Sequence, residues 1–385
     1  MRGGTVRRRA ALLVGLGIVP AFVISAPAQA GTVDATEGVV FTAAPGETND
    51  LTITRELDSV IVANLGAPLT VLGDCISIDP NTASCPAGGS LVALLGDGDD
   101  EADVNDLHSL VVGGEGADTV TAWGRVRGGS GNDTLATHPL GGTLNGGEGN
   151  DTLRGGEERR IGSTWMIGGL GSDTFIPGPL SYVSYRARTN PVVVDADGNP
   201  DDGETGEGDN VLPIGATGSG VEGIYGGMGD DRLSTIGGVH LIWGGAGDDV
   251  LDVRFPGQFS SAHGGAGDDR LLGSAIHDNL FGGNGHDHLV GRGGPDWMEG
   301  GSGDDVLKGG RGRDDLYGDH AYEDIGRGDD LLVGGRGGDS AEGGRGADTL
   351  RMRDAFRDSV RGGHGTDRAR IDRGLDRIFD VEILF

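Results

Sequence analysis

The sequence has few of the residues from which a large globular core or a membrane span is built. Only 5% of its residues are aromatic, and no run of apolar residues approaches the twenty that cross a bilayer as a helix, so we expect no membrane span in the mature chain. Basic residues are also scarce, because 30 Lys and Arg stand against 60 Asp and Glu, which gives a formal net charge of −30. Nucleic acid and anionic membrane surfaces are therefore poor partners for this chain.

The familiar signatures of catalysis are missing as well. The sequence contains no HExxH zinc helix, no GxSxG nucleophile elbow and no CxxC pair. Its two cysteines, Cys75 and Cys85, lie ten residues apart, and outside the cell we expect them to form a disulfide, with free thiols as the alternative. These absences predict a protein that is not an enzyme.

What the sequence has in abundance is glycine, 79 residues of it, arranged in a nine-residue unit. The unit, Gly-Gly-x-Gly-x-Asp-x-(Leu/Val/Phe)-x, first appears at Gly113–Thr121 and runs six times without a gap over Gly264–Tyr317. Its glycines permit the positive-φ, close-backbone conformations of a tight turn. Its last three residues predict a short strand whose eighth-place side chain points inward. In the gapless stretch these inward residues are Leu271, Leu280, Leu289, Met298, Leu307 and Leu316.

The sixth-place aspartates should form columns. Two units make one coil, so each aspartate stacks over the one two units further on, as in Asp269, Asp287 and Asp305 on one edge. Carboxylates in neighbouring coils, about 4.8 Å apart, repel by roughly 3 kcal/mol at an effective dielectric constant near 20. A divalent cation reverses that sign, and calcium suits oxygen ligands better than magnesium or zinc does. The predicted metal ligands are Asp100, Asp118, Asp133, Asp151, Asp173, Asp231, Asp249, Asp269, Asp278, Asp287, Asp296, Asp305, Asp314, Asp330, Asp339, Asp348 and Asp367.

These units resemble the hemolysin-type calcium-binding repeat of the RTX (repeats-in-toxin) family of secreted bacterial proteins. The resemblance extends over roughly 95–176 and 226–370. It implies an all-β fold, a right-handed parallel β-roll or β-solenoid, with multiple Ca²⁺ ions held between turns by Asp carboxylates and backbone carbonyls. Family members usually leave the cell through an exporter that reads an uncleaved C-terminal signal.

This chain instead has the features of a cleaved N-terminal signal. Arg2 and Arg7–Arg9 precede an apolar run, Ala10–Ile24, and the small-residue site Ala28–Ala30 follows, which predicts secretion to the extracellular space. A twin-arginine signal and a retained membrane anchor are the alternatives.

The chain divides into six predicted segments. A short irregular β cap should cover the first coil, and an apolar C-terminal segment should cover the last one, because an open solenoid end exposes core and strand edges. The connector between the repeat blocks is expected to form strands with an excursion at its acidic run, or else a flexible linker. The segments are the signal peptide 1–30, the N-terminal cap 31–94, the first block 95–176, the connector 177–225, the second block 226–370 and the C-terminal cap 371–385.

Two details of the repeats bear on metal binding. In the first block, degenerate units such as Val104–Val112 and Thr137–Asn145 lack the aspartate, so calcium is expected along one edge only, whereas from Gly264 onward both edges should be loaded. His286 and His288 are residue types that could bind zinc, and adjacent carboxylates such as Asp304–Asp305 could act as an acid/base pair. Because these residues recur within a repeat, a structural calcium column is the preferred interpretation.

The leading hypothesis is a secreted, non-enzymatic, calcium-binding β-roll that acts as a structural or surface-interaction module, with an unidentified cell-surface or matrix partner. The alternative is a calcium-dependent extracellular enzyme or toxin component in which the roll serves folding or secretion. A saccharide- or ice-binding solenoid would need a regular ladder of threonine or aromatic side chains. Trp123, Trp165, Trp243 and Trp297 are spaced too irregularly to predict one.

Overall fold

A computed structural model describes residues 30–36, 38–157, 162–213, 221–234, 239–254, 259–320 and 327–385. The chain is an all-β solenoid of about 15 stacked turns. The predicted signal peptide, residues 1–30, lies outside the described residues except for Ala30. Within the described ranges, no helix is long and apolar enough to cross a membrane.

The N-terminal segment joins antiparallel strands to the first parallel coils. β2 and β3 pair in parallel with β8 and β9, so they template the coils that follow, whereas β3, β4, β7 and β6 pair in antiparallel order. Cys75 and Cys85 form a disulfide here. The strands are β1 (Gly31–Asp34), β2 (Val39–Thr42), β3 (Asp50–Arg55), β4 (Ser59–Asn64), β5 (Leu69–Val71), β6 (Ile76–Asp79), β7 (Thr82–Pro86), β8 (Leu91–Asp97) and β9 (Glu101–Glu115).

Several strands in the first block are longer than the three residues expected from the repeat. The degenerate unit Val104–Val112 lies inside β9 (Glu101–Glu115), because it lacks the glycines that would turn the chain. The unit Thr137–Asn145 lies inside β11 (Thr134–Glu148), although it contains Gly141 and Gly142. In β10 (Thr119–Ser130), the register of pairing with β9 and with β11 shifts between Ala122 and Gly124. The strands are β10 (Thr119–Ser130), β11 (Thr134–Glu148), β12 (Thr152–Arg154), β13 (Thr164–Leu170), β14 (Thr174–Ile176) and β15 (Ser181–Ser184).

The connector continues the stack. β15 pairs in parallel with β13 before it and with β19 after it, and β18 pairs with β14. The acidic run folds back between them, where β17 pairs with β16 in antiparallel order. The strands are β16 (Val192–Val194), β17 (Gly203–Glu204), β18 (Asn210–Val211) and β19 (Val221–Tyr225).

The second block is a pair of parallel sheets that face each other. Successive strands alternate between the sheets, so β23, β25 and β27 neighbour one another in one sheet while β24, β26 and β28 do so in the other. The strands are β20 (Arg232–Ser234), β21 (Leu241–Ala246), β22 (Val250–Asp252), β23 (Ser260–Ala266), β24 (Arg270–Leu272), β25 (Asp278–Asn284), β26 (His288–Gly293), β27 (Trp297–Ser302), β28 (Val306–Arg311), β29 (Asp315–Tyr317), β30 (Leu331–Arg336), β31 (Ser340–Gly346), β32 (Thr349–Arg351), β33 (Ser359–Gly365), β34 (Arg368–Arg370), β35 (Arg377–Phe379) and β36 (Ile383–Leu384).

The core is a narrow column of eighth-place side chains between the two sheets. The prediction for the gapless repeats is confirmed, since Leu271, Leu280 and Leu289 are fully buried and so are Met298 and Leu316. At the C-terminal end, β35 and β36 add a last rung to each sheet. That rung leaves its own apolar side chains partly open, because Phe379 is 47% exposed and Phe385 is 57% exposed.

Candidate metal centre

Each sixth-place aspartate lies at the point where a glycine turn ends and a strand begins. Its backbone N–H donates to a carboxylate Oδ1 of the aspartate in the next coil, so the backbone of one coil holds the side chain of another. Asp269, for example, donates to Asp287 at 2.8 Å, and Asp287 donates to Asp305 at 2.7 Å. The stacking predicted for these three residues is therefore present.

On this first edge the aspartates form two ladders. The ladder of the first block begins where the Asn49 N–H donates to Asp100 Oδ1. It ends where the Asp173 N–H donates to Asp209 Oδ1 at 2.8 Å. In the second block, Asp367 ends the ladder by donating to Glu382 Oε2 at 2.8 Å. Between these ends the donor–acceptor distances are 2.7–3.0 Å along Asp100, Asp118, Asp133, Asp151 and Asp173, and along Asp231, Asp249, Asp269, Asp287, Asp305, Asp330, Asp348 and Asp367.

A third ladder follows the opposite edge of the second block. It runs through Asp278, Asp296, Asp314, Asp339, Asp358 and Asp376 with distances of 2.8–3.1 Å. From Asp278 onward, both edges of the second block therefore carry stacked carboxylates. In the first block, the described residues form an aspartate ladder along one edge.

The second carboxylate oxygen of most ladder aspartates has no hydrogen-bond donor. Oδ2 is buried and without a partner in Asp118, Asp287, Asp305 and others, which is costly for a carboxylate unless a cation lies beside it. The burial extends to the whole residue, because each predicted ligand is at most 3% exposed.

A second oxygen points to the same place from the next coil. A Cβ added to Gly282 would lie 2.2 Å from Asp287 Oδ2 and 2.5 Å from the carbonyl oxygen of Gly300, so the missing side chain leaves room for both oxygens. The first glycine of the other units repeats this arrangement, as at Gly113 with Asp118 Oδ2 and the Gly128 carbonyl. Carboxylate and carbonyl oxygens are the donor set that calcium prefers, so the residues fit a calcium ion.

The electrostatics agree with a cation site. Burial, opposed by the hydrogen bond from the preceding coil and reinforced by neighbouring carboxylates, raises the pKa of Asp118 to about 7 and of Asp249 to about 8. The pKa of Asp305 rises to about 9 for the same reasons. Without a counterion, these three carboxylates therefore resist ionisation near neutral pH.

Two of the predicted ligands differ from the rest because each begins a ladder. Asp231 Oδ2 accepts the Gly227 N–H at 2.6 Å, and Asp278 Oδ2 accepts both the N–H and the hydroxyl of Ser274. At these two positions the protein thus occupies the Oδ2 atom that lacks a donor in most other ladder aspartates, and in Asp278 it is Oδ1 that is buried without a donor.

Several ladder residues were not predicted. Asp358 is 1% exposed and continues the opposite-edge ladder, and its signal was the unit Arg353–Arg361, in which it is the sixth residue. Asp209 is fully buried and receives the N–H of Asp173 and the Tyr185 hydroxyl, which lies 3.0 Å from Oδ2. The sequence feature that could have identified Asp209 is its place directly before the strand residues Asn210–Val211, where a sixth-place aspartate stands in the repeat.

The fifth-place residues form an exposed ladder of their own. Asp248 Oδ1 accepts the Asp268 N–H at 2.8 Å, and Asp268 Oδ1 accepts the His286 N–H. His286 Nδ1 then accepts the Asp304 N–H at 2.8 Å, which occupies one of its two possible metal-binding atoms. His288 lies instead beside Lys308, 3.0 Å from its Nζ. The geometry gives no support to a zinc site at these histidines.

Comparison with known families agrees with the geometry. The family model of the RTX calcium-binding nonapeptide repeat (4 copies) matches residues 125–137, 142–158, 225–253, 263–298, 290–319 and 324–351. No curated protein matches the chain significantly.

Proposed function

Because the chain is an RTX-type repeat protein with calcium-binding repeats in a β-solenoid, we propose that it is a secreted, non-enzymatic module whose coils fold when they bind several calcium ions. The ligands in this proposal are the seventeen aspartates predicted above, joined by Asp358. The first-glycine carbonyl of the adjoining coil supplies a further oxygen.

The observation that carries the proposal is the set of buried Oδ2 atoms without a donor. Unscreened stacked carboxylates favour separation of the coils, whereas a divalent ion shared between two coils attracts both. The backbone N–H bonds to Oδ1 orient each carboxylate so that Oδ2 faces the first glycine of its own unit. When bound, calcium would supply the positive charge that joins the coils.

Folding and metal binding should then be one process. A site that binds at the 10⁻⁴–10⁻³ M affinity common in extracellular modules adds roughly 1.4 kcal/mol to folding at tenfold saturation. About ten such sites would contribute as much as the whole stability of a typical domain. The chain would stay loosely folded where calcium is scarce and become rigid outside the cell.

Far-ultraviolet circular dichroism tests this proposal directly. The signal is followed as the protein is moved from excess chelator to millimolar calcium, with magnesium at equal concentration as the control. We expect a cooperative gain of β signal with calcium that magnesium does not reproduce. A β signal of equal size in chelator would contradict the proposal.

The finer parts of the proposal rest on separate arguments. The basic, apolar and small-residue pattern of residues 1–30 supports secretion. The absence of known catalytic motifs from the sequence supports a structural or surface-interaction role, and a screen for hydrolysis of protein, lipid and glycan substrates would test it.

A further inference from the structure

A column of aromatic rings follows the outer face of the sheet that contains β13, β15, β19, β21, β23 and β25. Trp165 stacks on Tyr182 with ring centroids 4.8 Å apart, and Trp243 stacks on His263 at 4.9 Å, which in turn stacks on Phe281 at 4.6 Å. The spacing of the tryptophans alone did not predict this column, because tyrosine, histidine and phenylalanine fill the rungs between Trp165, Trp243 and the end of the column.

The stacking stops at Phe281. The next rung in register carries Glu299 in place of a ring, so no ring of the described residues is stacked on the far face of Phe281 in this column. On the same strand, Trp297 lies two residues before Glu299, in register with Asn279, and packs on Tyr317 of the following coil, with ring centroids 4.7 Å apart. An open groove of about 450 Å³ forms where the column is interrupted.

The groove is assembled from equivalent places of three successive coils on one edge. Asn279, Trp297 and Asp315 are in register on neighbouring strands and immediately follow the ladder aspartates Asp278, Asp296 and Asp314. Arg313 and His277 also line the groove. The same aspartates that align the coils therefore align the walls of the groove.

The polar groups of the groove carry both signs of charge. Arg313 lines it together with Asp315 and the ladder residue Asp296, and the Glu299 carboxylate accepts a hydrogen bond from His320, with 2.7 Å between Oε1 and Nδ1. An anionic ligand would meet three carboxylates, and a cationic ligand would meet a guanidinium. A polyhydroxylated neutral ligand meets neither conflict, because each hydroxyl both donates and accepts.

We propose that the groove formed by Phe281, Trp297, Glu299, Arg313 and Asp315 binds a neutral saccharide. Sugar rings have an apolar C–H face that packs on aromatic rings, and Phe281 and Trp297 provide them. The sugar hydroxyls donate to the Asp315 and Glu299 carboxylates and accept from the Arg313 guanidinium. The volume lies within the range of ligand pockets, at a size suited to one or two sugar units.

The test uses the full chain saturated with calcium. Cellotetraose, mannotetraose and tetra-N-acetylchitotetraose are titrated by isothermal calorimetry, and a neutral-glycan array extends the panel. We expect at least one neutral saccharide to bind, Trp297→Ala to weaken that binding at least tenfold, and Trp297→Phe to retain most of it. Trp243→Ala is the matched control, since it removes a 40% exposed ring of the same column outside the groove and should leave affinity unchanged.

Circular dichroism in calcium accompanies every variant. If Trp297→Ala does not fold, Asp315→Asn and Arg313→Gln replace it, each with an expected loss of affinity. No binding across the array, binding that these variants leave unchanged, or binding of a cationic peptide only would each overturn the proposal. Loss of saccharide binding in a protein that still folds with calcium would leave the proposed calcium function intact, so the two failures are distinguishable.

Discussion

Most ladder aspartates use their two carboxylate oxygens differently. Oδ1 accepts a backbone N–H from the preceding coil, whereas Oδ2 lies buried beside the first glycine and the carbonyl of the next coil. Aspartate suits this position because its side chain is short enough to reach both from the end of the turn. The hydrogen bond alone would be served equally well by asparagine, so the requirement for a carboxylate lies in the charge.

Asp305→Asn separates the hydrogen bond from the charge. Asparagine keeps the Oδ1 acceptor for the Asp287 N–H but removes a negative charge from a site where burial raises the pKa to about 9. We expect the variant to bind one or two fewer calcium ions per chain and to need more calcium to fold. Equilibrium dialysis with metal analysis measures the first, and a calcium titration followed by circular dichroism measures the second.

The neighbouring residue provides the control for this substitution. Asp304→Asn makes the same chemical change at an exposed fifth-place position, where Oδ1 accepts the Asp329 N–H. Its calcium stoichiometry should equal that of the unmodified protein. Equal losses in the two variants would mean that general charge, rather than the buried ladder, governs binding.

At the scale of the turn, the first glycine of each unit matters for the space that it leaves. Gly282 does not have a positive φ, so alanine fits its backbone conformation, but the added Cβ would lie 2.2 Å from Asp287 Oδ2 and 2.5 Å from the Gly300 carbonyl. We expect Gly282→Ala to raise the calcium concentration at the folding midpoint several-fold, because the methyl group displaces both oxygens from the site.

Gly88→Ala is the matched control for the turn. Nothing lies within 4 Å of a Cβ added there, and its φ is not positive. Both variants lose the same backbone freedom in the unfolded chain, a change that by itself stabilises a fold by roughly 0.4–1 kcal/mol. A calcium titration in which Gly282→Ala behaves like Gly88→Ala would contradict the proposed position of the site.

The repeating elements were predictable because their information is local. Glycine turn, sixth-place aspartate and inward eighth-place leucine follow from nine residues, so Asp287 and Leu289 could be assigned from the sequence. The long strand β9 could not, since its unit Val104–Val112 has no glycine and keeps its length but loses its turn. The long strand β11 could not either, because the glycines of its unit Thr137–Asn145 do not end the strand. The aromatic column was missed because its members come from different residue types and from coils separated by irregular insertions.

For the whole molecule, buried carboxylates link folding to pH. In the unfolded chain they titrate near 3.8, whereas burial raises the folded pKa of Asp330 to about 8 and of Asp348 to about 7. The metal-free fold therefore binds more protons than the unfolded chain and loses stability as pH rises from about 4 to about 8. With chelator present, we expect more β signal at pH 5.5 than at pH 8.

Calcium should abolish this dependence. Protons and calcium compete for the same Oδ2 atoms, but the unfolded chain and the calcium-bound fold are both ionised between pH 5.5 and 8, so the β signal at saturating calcium should be the same at the two pH values. Circular dichroism at both pH values, with and without calcium, measures the two trends. A metal-free signal that is equal at the two pH values would show that the carboxylates do not limit folding.

The stacking of coils also has a mechanical consequence. The hydrogen bonds between coils run along the solenoid axis, and the described chain begins at one end of the stack and finishes at the other. Tension applied to the two ends therefore loads these bonds in series, and the weakest rung opens first. Each coil of 18 residues then releases roughly 60 Å of extended chain, so the molecule would lengthen stepwise under load, and each step would close again when calcium returns to its oxygens.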